Sequence, residues 1–157
     1  MKRGLAFTLV IAQFVLLATL VFLPRGSAWP VNEAILVLAV VFIAIGAVLA
    51  VLGVIGLGSA LTASPIPRQN APLVTTGVYG LVRSPIYSGL MVGGLGLLLF
   101  GASIWHLLIW VALVALLAAK TRWEERMLIA AHPDYLAYGT RVGRFIPGIG
   151  RLRQRSV

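Results

Sequence analysis

Residues able to do chemistry are scarce in this sequence, and they fall close together. Of 157 residues, 60% are hydrophobic and only 11% are charged. The polar ones concentrate in three stretches. Thr75-Thr76-Gly77-Val78-Tyr79 leads into Arg83-Ser84-Pro85-Ile86-Tyr87; Arg122-Trp123-Glu124-Glu125-Arg126 follows; Tyr135 through Pro147 comes last. A carboxylate pair beside an arginine can bind a zwitterionic small molecule, the guanidinium forking onto its carboxylate and a glutamate meeting its cation. The same residues can equally form a structural salt bridge. Glu124-Glu125 between Arg122 and Arg126 also reads as ordinary surface charge, and neighbouring helical positions point about 100° apart, so both acids cannot face one ligand equally. Arg83 reads as well as a headgroup anchor, and Pro85 most simply as the first-turn proline of a helix.

Other chemistries find little support. Cysteine is absent, so there is no thiolate, disulfide or cysteine-bound metal. His106 and His132 have no partner at metal spacing, and no metal site is expected. No acid accompanies His106 for a Ser-His-Asp arrangement. Gly53, Gly56 and Gly58 stand inside an apolar run with no strand before them, which dismisses a dinucleotide fingerprint. Gly89 and Gly93 form a GxxxG pattern, a mark of close helix packing that also leaves room for a ligand beside the backbone or for a homodimer.

The elements that position these residues are membrane spans, since about 20 apolar residues cross a bilayer as a helix. The runs 5–23, 34–57, 86–100 and 104–119 give about four transmembrane helices, the last two joined through Gly101-Ala102-Ser103 as a hairpin. The fold class is an all-α polytopic membrane helix bundle, a single domain over 1–157, with a cytosolic loop 58–85 and a cytosolic tail 120–157. Charge placement supports this count. Of the 13 Lys+Arg residues, all but Arg25 fall on the side of both termini and the 58–85 loop, so the asymmetry is twelve to one and predicts N-in, C-in. That explains a net charge of +9 without nucleic acid. The start of the chain superficially resembles a cleavable leader, but its apolar run exceeds a typical h-region and is read as a span. Trp29 and Trp105 are expected at the outer interface and Trp123 at the inner one. The tail is expected to continue the last span to Ala131, break at His132-Pro133-Asp134, and form a short amphipathic helix over 134–144, with Arg141 and Arg144 at the headgroups. The hairpin brings Arg83 and Tyr87 beside Glu124 and Glu125 at one membrane edge.

The ordered set Thr76-Gly77-Val78-Tyr79, Arg83-Ser84-Pro85-Ile86-Tyr87-Ser88-Gly89, Glu124-Glu125, Tyr135-x-x-Tyr138 and Arg144-Phe145-Ile146-Pro147 resembles the isoprenylcysteine carboxyl methyltransferase / phospholipid methyltransferase superfamily. The match runs from about Leu73 to Pro147. The resemblance implies an enzyme that uses S-adenosylmethionine to methylate a lipophilic or prenylated small acceptor, or a lipid, at the cytosolic membrane face. It implies Arg83, Glu124 and Glu125 as catalytic residues. Tyr79, Arg83, Ser84, Pro85, Tyr87, Gly89, Glu124 and Glu125 would hold the donor, and Tyr135, Tyr138, Arg144 and Phe145 would lie in the tail that closes over it. A carboxylate acceptor needs no base, whereas an amine or thiol can require one.

One departure stands out: position 84 is Ser where the family usually has His. Binding of the donor is then weaker or rearranged, acceptors needing no proton transfer are preferred, or activity is lost. The alternatives to a methyltransferase are a scaffold or lipid-binding protein that keeps the fold and an NADPH-dependent membrane reductase, whose C-terminal region looks similar. The Arg-, Ala- and Gly-rich composition fits a bacterial plasma membrane.

Overall fold

The computed structural model describes residues 2–58 and 72–153. Most of the expected cytosolic loop, with Arg68, and the end of the tail, with Arg155, lie outside these residues. These residues hold five α-helices in order: α1 (Lys2–Phe22), α2 (Glu33–Leu57), α3 (Pro85–Gly101), α4 (Ile104–Ala131) and α5 (Tyr135–Arg141), with a 3-10 turn at Gly77–Gly80 ahead of α3. Among the described residues extended structure is confined to two isolated bridges, Val82 with Gly143 and Ile146 with Ile149. The fold is an all-helical membrane bundle.

The helix boundaries follow local rules. Asn32 caps α2, its side chain accepting from the Ile35 amide at 3.0 Å, and Glu33 supplies an acid to the first turn. Pro85 opens α3, where its missing N–H costs nothing. Ser103 caps α4 by accepting from the Trp105 amide. Between α3 and α4 stand only Ala102 and Ser103, the hairpin read from the sequence; Ala102 takes the left-handed conformation that ends α3.

Among the described residues, three helices are long and apolar enough to cross a membrane: Gly4–Phe22, Glu33–Leu57 and Ile104–Ala131. The fourth expected span, α3, is apolar but has 17 residues. That is about 25 Å of helix against a hydrocarbon core of about 30 Å. A short helix end near lipid must still satisfy its carbonyls. The α1–α2 connection does this. Arg25 Nε donates to the Phe100 carbonyl, Trp29 Nε1 to that of Leu99, and the Gly26 and Ala28 amides to those of Gly101 and Ala102, all at 2.8–3.1 Å. The one basic residue that stands against the charge asymmetry is thus a helix cap.

Packing is closest between α2 and α3, and small residues are the reason. A Cβ on Gly46 would lie 2.5 Å from the Gly89 carbonyl oxygen, and one on Gly96 would lie 2.6 Å from that of Ala39. The GxxxG pattern of α3 therefore faces α2 of the same chain. On its other side α3 meets α1 and α4, where Leu20, Leu113 and Leu117 form the buried centre. The outward faces of α1 and α2 remain apolar: Phe7 is 68% exposed and Ile55 is 68% exposed, as suits a lipid solvent.

The tail differs from expectation. The helix after His132-Pro133-Asp134 ends at Arg141 instead of running to Arg144, because Gly143 pairs with Val82 in an extended bridge. Arg144, expected at the headgroups, turns inward onto Glu125.

Candidate functional site

The site lies where α3 begins, α4 runs toward its end and the tail folds back. Its frame is backbone. The Arg83 amide donates to the Gly143 carbonyl at 2.8 Å and the Ser84 amide to that of Arg144 at 3.1 Å, while the Leu152 amide reaches Gly139 at 2.9 Å. Ser88 Oγ lies 2.9 Å from the Phe145 carbonyl oxygen and 3.0 Å from that of Ser84. The segment 142–152 is thereby held across the start of α3.

Arg83, just before α3, is buried against that segment. Nε and Nη2 donate to Glu125 Oε1 at 3.0 and 2.7 Å. Nη1 donates to the carbonyls of Gly139 and Val142 at 2.7 and 2.6 Å, and Nη2 also donates to Gly150 at 3.0 Å. A guanidinium has five N–H groups, and five contacts occupy them. From the tail, Arg144 Nη2 donates to Glu125 Oε2 at 2.6 Å, and its Nε lies 3.1 Å from the same oxygen. Glu125 is therefore a buried carboxylate shared by two guanidiniums, one from the start of α3 and one from the tail. The fork that could have met a ligand carboxylate is closed on protein groups.

Glu124 behaves differently, as the 100° offset between neighbours requires. It is half-buried, and its Oε1 accepts from the Tyr87 hydroxyl at 2.6 Å. Lys120, one turn earlier, places Nζ 4.9 Å from the centroid of the Tyr87 ring and donates to Gln13 Oε1 of α1 at 2.8 Å. Of the two acids, Glu124 is the one with carboxylate capacity left over.

The tyrosines brace the cap. Tyr138 donates its hydroxyl to the Tyr79 carbonyl at 2.5 Å and meets Tyr135 edge-on, with ring centroids 5.7 Å apart. Tyr79 donates to the Gly53 carbonyl of α2 at 3.1 Å, and the same ring lies against Gly56. The glycine run of α2 is thus a seat for the turn before α3. Burial pushes the Tyr138 phenol up to about 12, although the Arg83 charge opposes it. Burial also raises the phenols of Tyr79 and Tyr135. All three stay protonated near neutral pH, and Tyr79 and Tyr138 serve as hydroxyl donors, not bases.

The structure thus gathers Arg83, Glu125 and Arg144 in one network, Tyr87 and Glu124 in a second, and Tyr79, Tyr135 and Tyr138 in the brace. Ser84 and Phe145 are half-buried at the seam between α3 and the tail. Pro85 and Gly89 face α2, against Gly53 and Gly46. Sequence reasoning missed Lys120 and Gln13. Their signal was present: a lone amide inside one apolar run and a lysine four residues before Glu124. Among the described residues, no three His, Cys, Asp or Glu side chains group to hold a metal ion.

A family model described as phospholipid methyltransferase matches residues 34–134, the stretch from α2 to Asp134. The cobalt-zinc-cadmium resistance protein CzcN of Cupriavidus metallidurans is 36% identical over 93 residues, 57% of this chain and 42% of that protein. The chain thus spans less than half the length of this relative. No solved structure matches.

Proposed function

The chain belongs to the phospholipid methyltransferase family, and from that membership we propose that it binds S-adenosylmethionine beside Glu124 and methylates a lipophilic acceptor reached from the bilayer. The family match supports methyl transfer in a membrane; the donor, its site and the acceptor class are our reading. The observation that carries it is the contrast between the acids. Glu125 is closed by two guanidiniums, whereas Glu124 is half-buried with a single hydroxyl donor from Tyr87.

These residues fit the cationic part of such a donor. A carboxylate with free lone pairs can take an ammonium or the ribose diol, and an aromatic face such as that of Tyr87 favours a sulfonium. The bound donor supplies an electrophilic methyl group. Tyr87 orients the Glu124 carboxylate. Arg83, through Glu125 and three tail carbonyls, holds the cap in place and acts as a positioning residue. Such positioning supplies much of the rate of an in-line displacement. The exposed apolar faces of α1 and α2 keep the approach greasy, which suits a prenylated or acylated acceptor. Orientation with both termini in the cytosol of a bacterial plasma membrane goes with this proposal.

Isothermal calorimetry of the purified chain in nanodiscs tests it. S-adenosylmethionine should bind, and Glu124→Gln should weaken binding at least tenfold with little change in unfolding temperature. Absence of binding in both the natural chain and Ser84→His would sink the proposal, as would unchanged affinity in Glu124→Gln.

A further inference from the structure

α1 lies wholly outside the segment that the family model matches, and apart from one amide its sequence reads as a span. Yet midway along it Gln13 is 7% exposed, and the Lys120 side chain that donates to it belongs to a residue 4% exposed. A buried ammonium ordinarily takes a carboxylate partner. One stands close by. Glu124 follows Lys120 at i+4, the spacing at which charged side chains meet on a helix.

That pair is not made. The ion pairs among the described residues are Arg83–Glu125 and Arg144–Glu125. Lys120 Nζ is instead held between the Gln13 amide oxygen and the ring of Tyr87, whose hydroxyl occupies one oxygen of Glu124. The amide of α1 therefore competes with the glutamate of α4 for one lysine, and the amide holds it.

We propose that Gln13 is a positioning residue: by holding Lys120 against the Tyr87 ring, it keeps the Glu124 carboxylate open to a cationic ligand. This rests on Glu124 being the acid that takes the donor's cationic part. Without the amide, Lys120 turns to Glu124, and an internal ammonium fills the place of the ligand's cation. α1 is then a part of the site as well as a span.

Two measurements on the full chain in nanodiscs test this. The first uses no ligand. Thermal unfolding is compared for the natural chain, Gln13→Leu, Glu124→Gln and the double variant. If the amide holds the lysine, Glu124→Gln lowers the midpoint by several degrees more in the Gln13→Leu background, where a new Lys120–Glu124 pair is lost. Equal shifts in both backgrounds overturn the proposal, whatever the ligand.

The second is calorimetry with S-adenosylmethionine. Gln13→Leu should weaken binding at least tenfold. Gln13→Glu keeps an oxygen for Lys120 and should stay within threefold, and Gln13→Leu with Lys120→Met should recover, since the competitor is gone. A merely structural Gln13 would lower the midpoint and leave affinity unchanged, and that result also overturns the proposal. Should Gln13→Leu fail to fold, Lys120→Met decides: the donor should bind at least as tightly as to the natural chain, and a tenfold loss would make Lys120 a donor ligand instead of a restrained competitor. If the natural chain binds no donor, the donor reading falls, and the unfolding comparison alone judges Gln13.

Discussion

The α3–α4 hairpin has two ends that meet the same demand in different ways. At the turn end, four carbonyls from Leu99 to Ala102 are met by two backbone amides, an indole and Arg25, an exposed side chain that lies 4.1 Å from the Phe100 ring centroid. At the open end, the proline that begins α3 already lessens the need for caps, yet that end buries Arg83 and Glu125 and draws Arg144 in after them. A buried ion pair seldom adds net stability over an apolar replacement, because desolvation offsets the attraction. The charge at the open end therefore exceeds what helix ending requires. Its geometric effect is to fasten the 142–152 segment over α3 beside Glu124. The turn end closes a helix, and the open end holds a cap next to Glu124, the carboxylate with a single hydroxyl donor.

Breaking the network at its shared point should show this difference most sharply. Glu125→Gln leaves Arg83 and Arg144 without their common anion, one of them fully buried. Losing one partner of a buried pair costs about 3–5 kcal/mol. The expected outcome is a large fall in the thermal midpoint and proteolytic cleavage within 142–152, followed by limited digestion and mass spectrometry. A midpoint unchanged within a degree would show that the triad is not the fastening.

How much of this was legible in the sequence depends on whether the information was local. The apolar runs, the two-residue turn and the Pro85 start are local, and they sufficed to bring Arg83 and Tyr87 beside Glu124 and Glu125. The divergence of the two acids was also legible, since helical geometry forbids neighbours from facing alike. Which acid would face Tyr87 was not, because that depends on the rotation of α4 against α3. Arg144 reads as a headgroup anchor from its basic, amphipathic surroundings; the Val82–Gly143 bridge, a contact far apart in sequence, turns it inward instead. The GxxxG pattern announced close packing without naming its partner, Gly46 of α2. Gln13 and Lys120 were invisible as a pair, being 107 positions apart.

A smaller perturbation of the same end loosens the cap without touching a charge. Gly143 lies inside the turn of the tail: a Cβ there would meet the Ile146 carbonyl oxygen first, and would lie 2.7 Å from the Ile149 carbonyl oxygen and 2.8 Å from the Gly148 amide nitrogen. All three neighbours are backbone and cannot swing aside. Gly143→Ala should cost about 1–3 kcal/mol, in the range of overpacked sites. It should also weaken donor binding, because the segment it displaces carries the carbonyls of Val142 and Gly150 that hold Arg83. Loss of stability with unchanged donor affinity would separate the cap from the site.

The turn end should respond least. Arg25→Gln removes an exposed guanidinium from one carbonyl and one aromatic face, contacts whose cation–π part is about 0.5–1 kcal/mol at an exposed site. Phe100 would lose its side-chain donor, but the Gly26 and Ala28 amides and the Trp29 indole remain on the adjoining carbonyls. The thermal midpoint should fall by a few degrees at most, and donor affinity should stay within twofold. If Arg25→Gln reduced donor binding as strongly as Gly143→Ala, the two ends would be coupled along α3, and the separation of helix closure from ligand site would fail.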